Sequence, residues 1–246
     1  MTATSKHGER LEGEYMNNYT NYVIAHKDFT WNTPQWYNDT FTQISTHKVK
    51  SNLKNYVVID SDYDDKLFGE ITYVEWILKN CKTQFVSINH YRRILNAPVI
   101  GQPTFSKPIN LSVTMYDQFI ACHSKKLIDD FIASLTDDNL KKLVTEGMQQ
   151  NVIIPYNLFS GQLQVLAQWY NFVALPIIEF MKGIKNVEKY VKESGALDVN
   201  SARNNSIEYQ KRIAAFLSER MSTIFWTRVC QGVPGEVSLL EDNQHI

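Results

Sequence analysis

The stretch QFVSINHYRR, at residues 84–93, decides the fold of this 246-residue chain. Its apolar first half predicts a buried strand, and its polar second half predicts a loop that contains His90, Tyr91, Arg92 and Arg93. In open α/β sheets, ligands bind beyond the carboxyl ends of the strands. Guanidinium groups at such an end match the oxygens of phosphates and carboxylates, so the stretch predicts a site for a phosphorylated small molecule.

Three further short apolar runs, bounded by polar or turn residues, predict buried strands at residues 22–25, 56–59 and 119–122. The segment GEITYVEWILKN, at residues 69–80, has apolar residues at helical spacing and lies between two of these strands. It predicts a crossover helix. Strand, helix and strand in this order indicate a βαβ unit and an α/β fold with a partly parallel sheet.

The remainder of the chain is predicted to be mainly helical. An apolar stripe over residues 127–135 indicates one helix, and Thr136 or Asp137 is predicted to cap the next. Residues 161–183 predict a long helix that is kinked or broken at Pro176, and residues 206–228 predict the last strong helix. Residues 94–114, with three prolines, predict a long loop.

These elements predict a single large domain over residues 21–231. Its nucleotide-binding α/β part would extend to about residue 125, and a helical part would fill residues 126–231. Residues 1–20 are predicted to be a flexible extension, and residues 232–246 a polar, frayed tail.

The overall composition indicates a globular protein of near-neutral charge. The apolar fraction of 43% supplies a core, and the formal net charge of −1 argues against a broad nucleic-acid footprint. Three cysteines without metal or disulfide spacing favour a reducing compartment. No secretion signal or membrane-spanning run is evident, so we expect a cytoplasmic protein, in the host cytoplasm if the chain is encoded by a phage.

Two polar segments follow predicted strands and are candidates for ligand contact. His26 and Lys27 follow the first strand. They either contact a nucleotide or form a plain solvated turn. Asp60 and Asp62 begin the second segment. An Asp-x-Asp pattern at a strand end can hold a divalent cation such as Mn²⁺ or Mg²⁺. We favour a solvated turn for the aspartates, because the neighbouring arginines would replace a metal.

Two later segments add further candidates. Asn157 either caps a helix or donates to a sugar hydroxyl. Glu219, on the last helix, is either a general base or the partner of an arginine such as Arg92, Arg212 or Arg220. Arg92 and Arg93 could equally be held by Glu70 or Glu75. Phosphate-binding glycine loops, the Gly-x-Ser-x-Gly elbow and zinc-ligand histidine pairs are absent from the sequence.

Four blocks, taken in order, resemble the bacterial capsular and exopolysaccharide glycosyltransferase domain that includes O-antigen galactofuranosyltransferases. They are YVIAHKDF (22–29), GEITYVEWILKN running on to INHYRRIL (69–95), IIPYNLFSGQLQVLAQWYNFVALPIIE (153–179) and YQKRIAAFLSERMSTIFW (209–226). The His-Tyr-Arg-Arg and Leu-Ser-Glu-Arg blocks are the specific ones. The chain departs from the family in having only the compressed DSDYDDKLF before the Glu-Ile-Thr helix.

The resemblance implies a GT-A-like fold, with a mixed, mostly parallel sheet and flanking helices, and transfer of a sugar from a UDP-sugar to a hydroxyl. It implies that Arg92 and Arg93 stand where relatives of that fold have a metal-binding Asp-x-Asp, so no metal is expected. The implied catalytic residues are Glu219 and Asp62. The implied donor-binding residues are His26, Lys27, Glu70, Thr72, His90, Tyr91, Arg92, Arg93, Asn157 and Arg220.

The resemblance leaves three functions open. The first is an inverting transfer of a pentose or hexose, in furanose form or not, to a glycan. The second is the phage type of DNA glycosylation, with arabinose or glucose placed on 5-hydroxymethylcytosine; a patch of lysines would then face DNA (Lys107, Lys125, Lys126, Lys141 and Lys142). The third is a non-catalytic module that binds nucleotide or glycan.

Overall fold

A computed structural model describes residues 18–31, 39–95, 102–199 and 206–239. The described strands are β1 (Tyr19–Ile24), β2 (Phe41–Ser45), β3 (Asn55–Val58), β4 (Phe85–His90), β5 (Arg93–Leu95), β6 (Thr104–Ser106), β7 (Ile109–Asn110), β8 (Val152–Ile153), β9 (Phe159–Gln162), β10 (Val233–Gly235) and β11 (Val237–Leu239). Nine of them form one mixed sheet in the order β10-β6-β9-β4-β1-β2-β3, with β5 bridging β4 and β11, and β7 pairs with β8 apart from it.

The described helices are α1 (Asp65–Phe68), α2 (Ile71–Asn80), α3 (Met115–Cys122), α4 (Lys125–Ser134), α5 (Asp138–Gly147), α6 (Leu163–Trp169), α7 (Leu175–Gly183), α8 (Val187–Glu193), α9 (Ile207–Gln210) and α10 (Ile213–Ile224). Wide π-helical segments follow α6, at Tyr170–Ala174, and α10, at Phe225–Val229. Among the helices of these ranges, none has the length and apolar character that crossing a bilayer requires.

One side of the sheet, from β4 through β1 and β2 to β3, is parallel, and this places the carboxyl ends of four strands together. Strand β1 pairs in parallel with both β2 and β4, and β2 pairs in parallel with β3. Helix α2 connects β3 to β4, which confirms the predicted crossover. The carboxyl ends of β1, β2, β3 and β4 therefore meet at a common edge, where ligands of open α/β sheets bind.

The alternation of side chains along β1 gives the sheet two apolar faces. Tyr22 and Ile24 belong to the main core, together with the buried faces of the helices. Val23 and Ala25 belong to a smaller core on the other face, which is covered by loop residues that include Trp31. The indole Nε1 of Trp31 donates to the backbone carbonyl of Tyr91 at 2.7 Å, so this loop supports the strand end at which the polar residues lie.

The arginine-containing segment is a tight hairpin, not the predicted loop. His90 is the last residue of β4 and pairs with Arg93, the first residue of β5, while Tyr91 and Arg92 form the turn between them. The apolar residues that follow Arg93 give the chain a second strand. The side-chain amide oxygen of Asn89 closes the hairpin by accepting from the backbone N–H of Leu95 at 2.9 Å. His90 and Arg93 are thus held on strands.

Several other predictions are corrected. Residues 119–122 lie in α3 and not in a strand, because Thr114 accepts from the backbone N–H of Asp117 at 3.0 Å and starts a helix that buries Phe119. Strand β2 was missed. Strands β5, β6 and β7 occupy parts of the predicted loop, whose residues 96–101 lie outside the described ranges. Strands β10 and β11 extend into the predicted tail, and β1 begins inside the predicted extension.

Two helix predictions are confirmed. Asp137 caps α5, because its side chain accepts from the backbone N–H groups of Asn139 and Leu140 at 2.8 and 2.9 Å. The long apolar helix is interrupted just before Pro176 by a π-helical segment, since proline has no N–H to continue the ladder.

We expect Gly69→Ala to lower the free energy of unfolding by about 1–3 kcal/mol. Gly69, at the junction of α1 and α2, has φ +57°, and an added Cβ would meet the Cβ of Ala215 at 3.2 Å. Both the backbone and the contact oppose a side chain. Urea denaturation measures the effect. Gly183→Ala is the control, because nothing lies within 4 Å of its Cβ position; equal stability of the two variants would contradict the explanation.

Candidate functional site

The ends of β1 and β4 bring three rings together at the carboxyl edge of the sheet. His26 follows β1, and its ring lies 5.3 Å from that of His90 and 5.0 Å from that of Tyr91. The rings of His90 and Tyr91 are 4.3 Å apart. The parallel pairing of Ile24 with His90 fixes this arrangement. The structure thus joins the predicted donor-binding residues of two separate strands.

Both histidines are held in the neutral form. Burial, together with the charges of His26, Arg92, Arg93 and Arg212, lowers the pKa of His90 to about 2. Partial burial of the His26 ring lowers its pKa to about 4, although the residue as a whole is exposed. The Nδ1 atom of His90 accepts from the backbone N–H of Arg92 at 3.2 Å, which places the ring proton on Nε2. His90 can therefore donate from Nε2 to a ligand oxygen.

Three arginines around these rings have no acidic partner within the described ranges. Arg92 is exposed, with its guanidinium carbon 5.3 Å from the centre of the Tyr91 ring. Arg93 is partly buried, with its guanidinium carbon 4.1 Å from the centre of the Tyr156 ring. The buried Nε of Arg93 has no hydrogen-bond partner among the described residues. Unpaired guanidinium groups at this edge are suited to phosphate oxygens.

Arg212 lies between α9 and α10, and its charge affects the two histidines of the site. It lowers the pKa of both His26 and His90, and it opposes the increase in the pKa of Glu70. Gln210, at the end of α9, is fixed by two hydrogen bonds: its Oε1 accepts from His123 Nδ1 at 3.0 Å, and its Nε2 donates to the Cys122 carbonyl at 2.9 Å. Arg212 is therefore a site residue that the sequence did not single out as donor-binding.

We expect protein stability to fall as the pH decreases below about 6.5, where the unfolded chain's histidines gain protons. The folded protein keeps His90 and His123 neutral, because burial lowers their pKa values to about 2 and about 3. Each depressed group stabilises the fold fully above about pH 6.5 and loses that contribution as the pH falls toward its folded pKa. The slope is about 1.4 kcal/mol per pH unit for each such histidine.

Urea denaturation at several pH values between 4 and 7 measures this slope. His123→Phe keeps the stacking on Phe119 and Phe216 but removes the titrating group, so the slope should decrease by about 1.4 kcal/mol per pH unit. His47→Gln, at an exposed position, is the control. An unchanged slope in His123→Phe would contradict the proposed origin of the acid sensitivity.

Tyr156 and Asn157, in the loop before β9, have unusual backbone geometry. Their φ angles are +78° and +49°, which non-glycine residues rarely adopt. The Asn157 side chain compensates: its Nδ2 donates to Ser218 Oγ at 2.8 Å and to Glu70 Oε2 at 3.3 Å, and its Oδ1 accepts from Ser222 Oγ at 2.7 Å. Asn157 is thus buried in a polar network, and it does not cap a helix, because strand β9 follows it.

The same dipeptide lies between two carboxylates. Glu219 Oε1 accepts from the backbone N–H of Tyr156 at 3.2 Å, and the Glu219 side chain is 30% exposed. Burial raises the pKa of Glu70, and the charge of Glu219 raises it further, which indicates that the two carboxylates are close. Two partly exposed carboxylates therefore lie near the arginines of this site, and a carboxylate in such a site can act as a general base.

Arg220 is a buried residue next to Glu219. Its guanidinium donates to Gln118 Oε1 and to the Phe216 carbonyl, and it lies 3.4 Å from Glu219 Oε2. The side chain is buried, so its contacts are with the protein. This geometry favours a role in orienting Glu219 over the direct donor contact that we predicted. Thr72 is also buried, and its Oγ1 has no hydrogen-bond partner in the described part of the chain.

Of the aspartates after β3, Asp60 and Asp62 fit the solvated turn that we favoured, whereas the charge of Asp65 opposes the lowering of the His26 pKa. Asp60 and Asp62 are exposed, and the charge of Asp62 acts on Tyr63 and Lys79, on the side of α2. Asp64 caps α1. Asp65, which belongs to the same acidic run, accepts from Thr46 Oγ1 at 2.8 Å and from the Tyr73 hydroxyl at 3.2 Å. Asp62 is thus poorly placed to act as the base.

No group of three or more metal-ligating side chains is found in residues 18–31, 39–95, 102–199 and 206–239. Lys27 is exposed, and its charge lowers the pKa of His26. The site is an open sheet edge. A groove of about 520 Å³ lies elsewhere, between α7 and α8, and shares no residue with it.

Comparison with known proteins supports the fold. No protein-family model matches the chain, and no curated protein matches it. A solved structure described as the apo form of the WbbM bifunctional glycosyltransferase is similar, with a TM-score of 0.62 and 13% identity. The match covers 92% of this chain and 46% of that one, so the chain spans less than half of its neighbour's length. The expected GT-A-like α/β fold, with helices flanking a mixed sheet, is confirmed.

Proposed function

We propose that this protein is a glycosyltransferase that uses a nucleotide-sugar donor, with UDP as the leaving group. The observation that supports this most directly is the set of three arginines, Arg92, Arg93 and Arg212, which have no acidic ion-pair partner among the described residues and act on His26 and His90 at the carboxyl edge of β1 and β4. A cationic group of this kind is suited to a diphosphate. The likeness in fold to a bifunctional glycosyltransferase agrees with the proposal.

In the proposed reaction, Glu219 accepts the proton of the acceptor hydroxyl. The acceptor oxygen then attacks the anomeric carbon from the face opposite the diphosphate, and the bond between that carbon and the diphosphate oxygen breaks. The electron pair leaves with UDP, whose negative charge the arginines neutralise, and the configuration of the sugar is inverted. Preorganised cations at the position where charge develops are among the largest contributors to such catalysis.

The donor contacts follow from the placement of the side chains. Arg93 and Arg92 would bind the diphosphate, and His90 would donate from Nε2 to a donor oxygen. His26, Lys27 and Tyr91 would line the same edge. Glu70, Asn157 and Thr72 would shape the floor beneath the sugar, and Arg220 would hold Glu219.

A glycan is the acceptor that we favour over DNA. The lysines that would form a DNA-facing patch are largely engaged: Lys125 pairs with Asp129, Lys126 pairs with Asp130, and Lys107 pairs with Glu236. These i,i+4 and surface pairs reduce the local positive potential. A DNA acceptor bearing 5-hydroxymethylcytosine and a non-catalytic binding module are the two alternatives that the experiment must separate.

Release of UDP from a panel of UDP-hexoses and UDP-pentoses tests the proposal, with three acceptor conditions: none, oligosaccharides, and duplex DNA containing 5-hydroxymethylcytosine. Release that is stimulated by oligosaccharides supports the proposed function. Stimulation by modified DNA alone would favour the DNA enzyme. Binding of UDP without any release, in folded protein, would favour the non-catalytic module.

We expect activity to persist in EDTA, within about twofold of the untreated rate, because arginines would supply the charge that a metal supplies elsewhere. Initial rates with and without EDTA, followed by addition of Mn²⁺, measure this. Complete loss of activity that Mn²⁺ restores would contradict the expectation and would assign the diphosphate to a cation held by Asp60 and Asp62.

A further inference from the structure

Tyr156 contacts two residues with different roles in the proposed reaction, Arg93 and Glu219. Its ring lies against the Arg93 guanidinium, at 4.1 Å from ring centre to guanidinium carbon. Its backbone N–H donates to Glu219 Oε1 at 3.2 Å. One residue therefore touches both the cation proposed for the diphosphate and the carboxylate proposed as base, although these two lie 126 positions apart in the chain.

The backbone of this residue is held in place at an energetic cost. Consecutive positive φ angles at Tyr156 and Asn157 are disfavoured for non-glycine residues, and they persist only where the surroundings fix them. The buried Asn157 side chain supplies that restraint through Ser218, Ser222 and Glu70. The orientation of Tyr156 is thus set by a network anchored in α10 and at the start of α2, independently of its own side chain.

We propose that Tyr156 is a positioning residue that orients Arg93 for the donor diphosphate and aligns it with Glu219, an inference that rests on the proposed function. The guanidinium carbon lies over the ring, 4.1 Å from its centre. In the described part of the chain the buried Nε of Arg93 has no hydrogen-bond partner, so we expect the ring contact to orient the guanidinium. Contact between a guanidinium and an aromatic face stabilises arginine while preserving its donors.

The aromatic face, and not the hydroxyl, is the group that acts. Among the described residues no hydrogen bond of the Tyr156 hydroxyl is found, whereas the ring contact is close. Tyr156→Phe therefore keeps the proposed interaction. Tyr156→Leu keeps an apolar side chain of comparable bulk at the same backbone angles but removes the π face. This pair of variants separates ring stacking from simple burial.

Isothermal titration with UDP, and separately with inorganic pyrophosphate, tests the proposal. We expect Tyr156→Phe to bind both ligands within about twofold of the wild type, and Tyr156→Leu to bind both about tenfold more weakly, in line with a desolvated cation–π contact. In Arg93→Ala, adding Tyr156→Leu should cause no further loss, because the tyrosine acts through Arg93. Urea denaturation of each variant shows whether the fold is intact.

Equal affinity of Tyr156→Leu and wild type, or fully additive losses in the double variant, would overturn the role of Tyr156 while leaving the proposed function standing. Failure of the folded wild type to bind UDP or pyrophosphate would overturn both. A loss in Tyr156→Phe as large as that in Tyr156→Leu would assign the effect to the hydroxyl and would also overturn the proposal.

Discussion

Replacing Arg93 by alanine is expected to lower kcat/KM for the sugar donor by about 10²- to 10³-fold, as is typical when one preorganised group that stabilises transition-state charge is removed. Arg93 is the partly buried arginine of the cluster, it begins β5, and its Nε has no hydrogen-bond partner among the residues that the structure describes. Its charge is therefore both fixed in position and poorly screened by water. Steady-state kinetics with the best UDP-sugar donor, and titration with UDP, measure the effect.

Arg92→Ala provides the matched comparison from the same hairpin. Arg92 is exposed at the turn, so we expect a loss of about tenfold or less, because an exposed charge interacts more weakly with its ligand. Arg93→Lys keeps the charge but loses the planar fork and should be intermediate. Unchanged UDP affinity in both alanine variants would show that the diphosphate binds elsewhere.

Replacing Glu219 by glutamine is expected to lower kcat by about 10²- to 10⁴-fold while leaving UDP affinity within about twofold, as the loss of a general base predicts. The amide oxygen of glutamine can still accept from the Tyr156 N–H, so the loop geometry should survive. The substitution removes the proton acceptor and little else. Single-turnover kinetics separate the chemical step from donor binding.

Glu70→Gln distinguishes the two carboxylates. Partial burial raises the pKa of Glu70, and this carboxylate accepts from Asn157 at 3.3 Å. We expect its replacement to lower kcat by less than about tenfold, through a shift of the Asn157 network. If Glu70→Gln abolishes turnover and Glu219→Gln does not, the base is Glu70. If neither variant loses activity, the proposed mechanism is wrong.

Most of the parallel side of the sheet could be predicted from the sequence. Short buried runs with a helical spacing between them indicate strands and a crossover helix, and both are patterns among neighbours along the chain. β1, β3, β4 and α2 were found in this way. β2 was missed because FTQIS has only two large apolar residues; its burial comes from neighbours on both sides. Residues 119–122 were misassigned because a four-residue apolar run suits a strand and a helix equally.

The sequence located much of the site but not its chemistry. His26, His90, Arg92 and Arg93 were identified as residues that follow strands, and the parallel pairing does bring His26 and His90 together. Asp62 was selected by the same logic, but it is exposed and its charge acts on Tyr63 and Lys79. The end of a strand specifies the edge of the sheet at which a residue lies, and it does not specify which neighbours that residue faces. Arg212 follows a short helix and no strand, so strand-end logic could not find it.

By itself, the sequence determined β1, β3, β4 and α2 and the polar residues that end these strands, because apolar period and turn chemistry are properties of neighbours along the chain. Only the tertiary structure decided that Arg93, Tyr156 and Glu219 meet. That meeting depends on the left-handed backbone of Tyr156 and Asn157, which local preference disfavours. It exists because contacts from Glu70, Ser218 and Ser222, distant in sequence, together outweigh that preference.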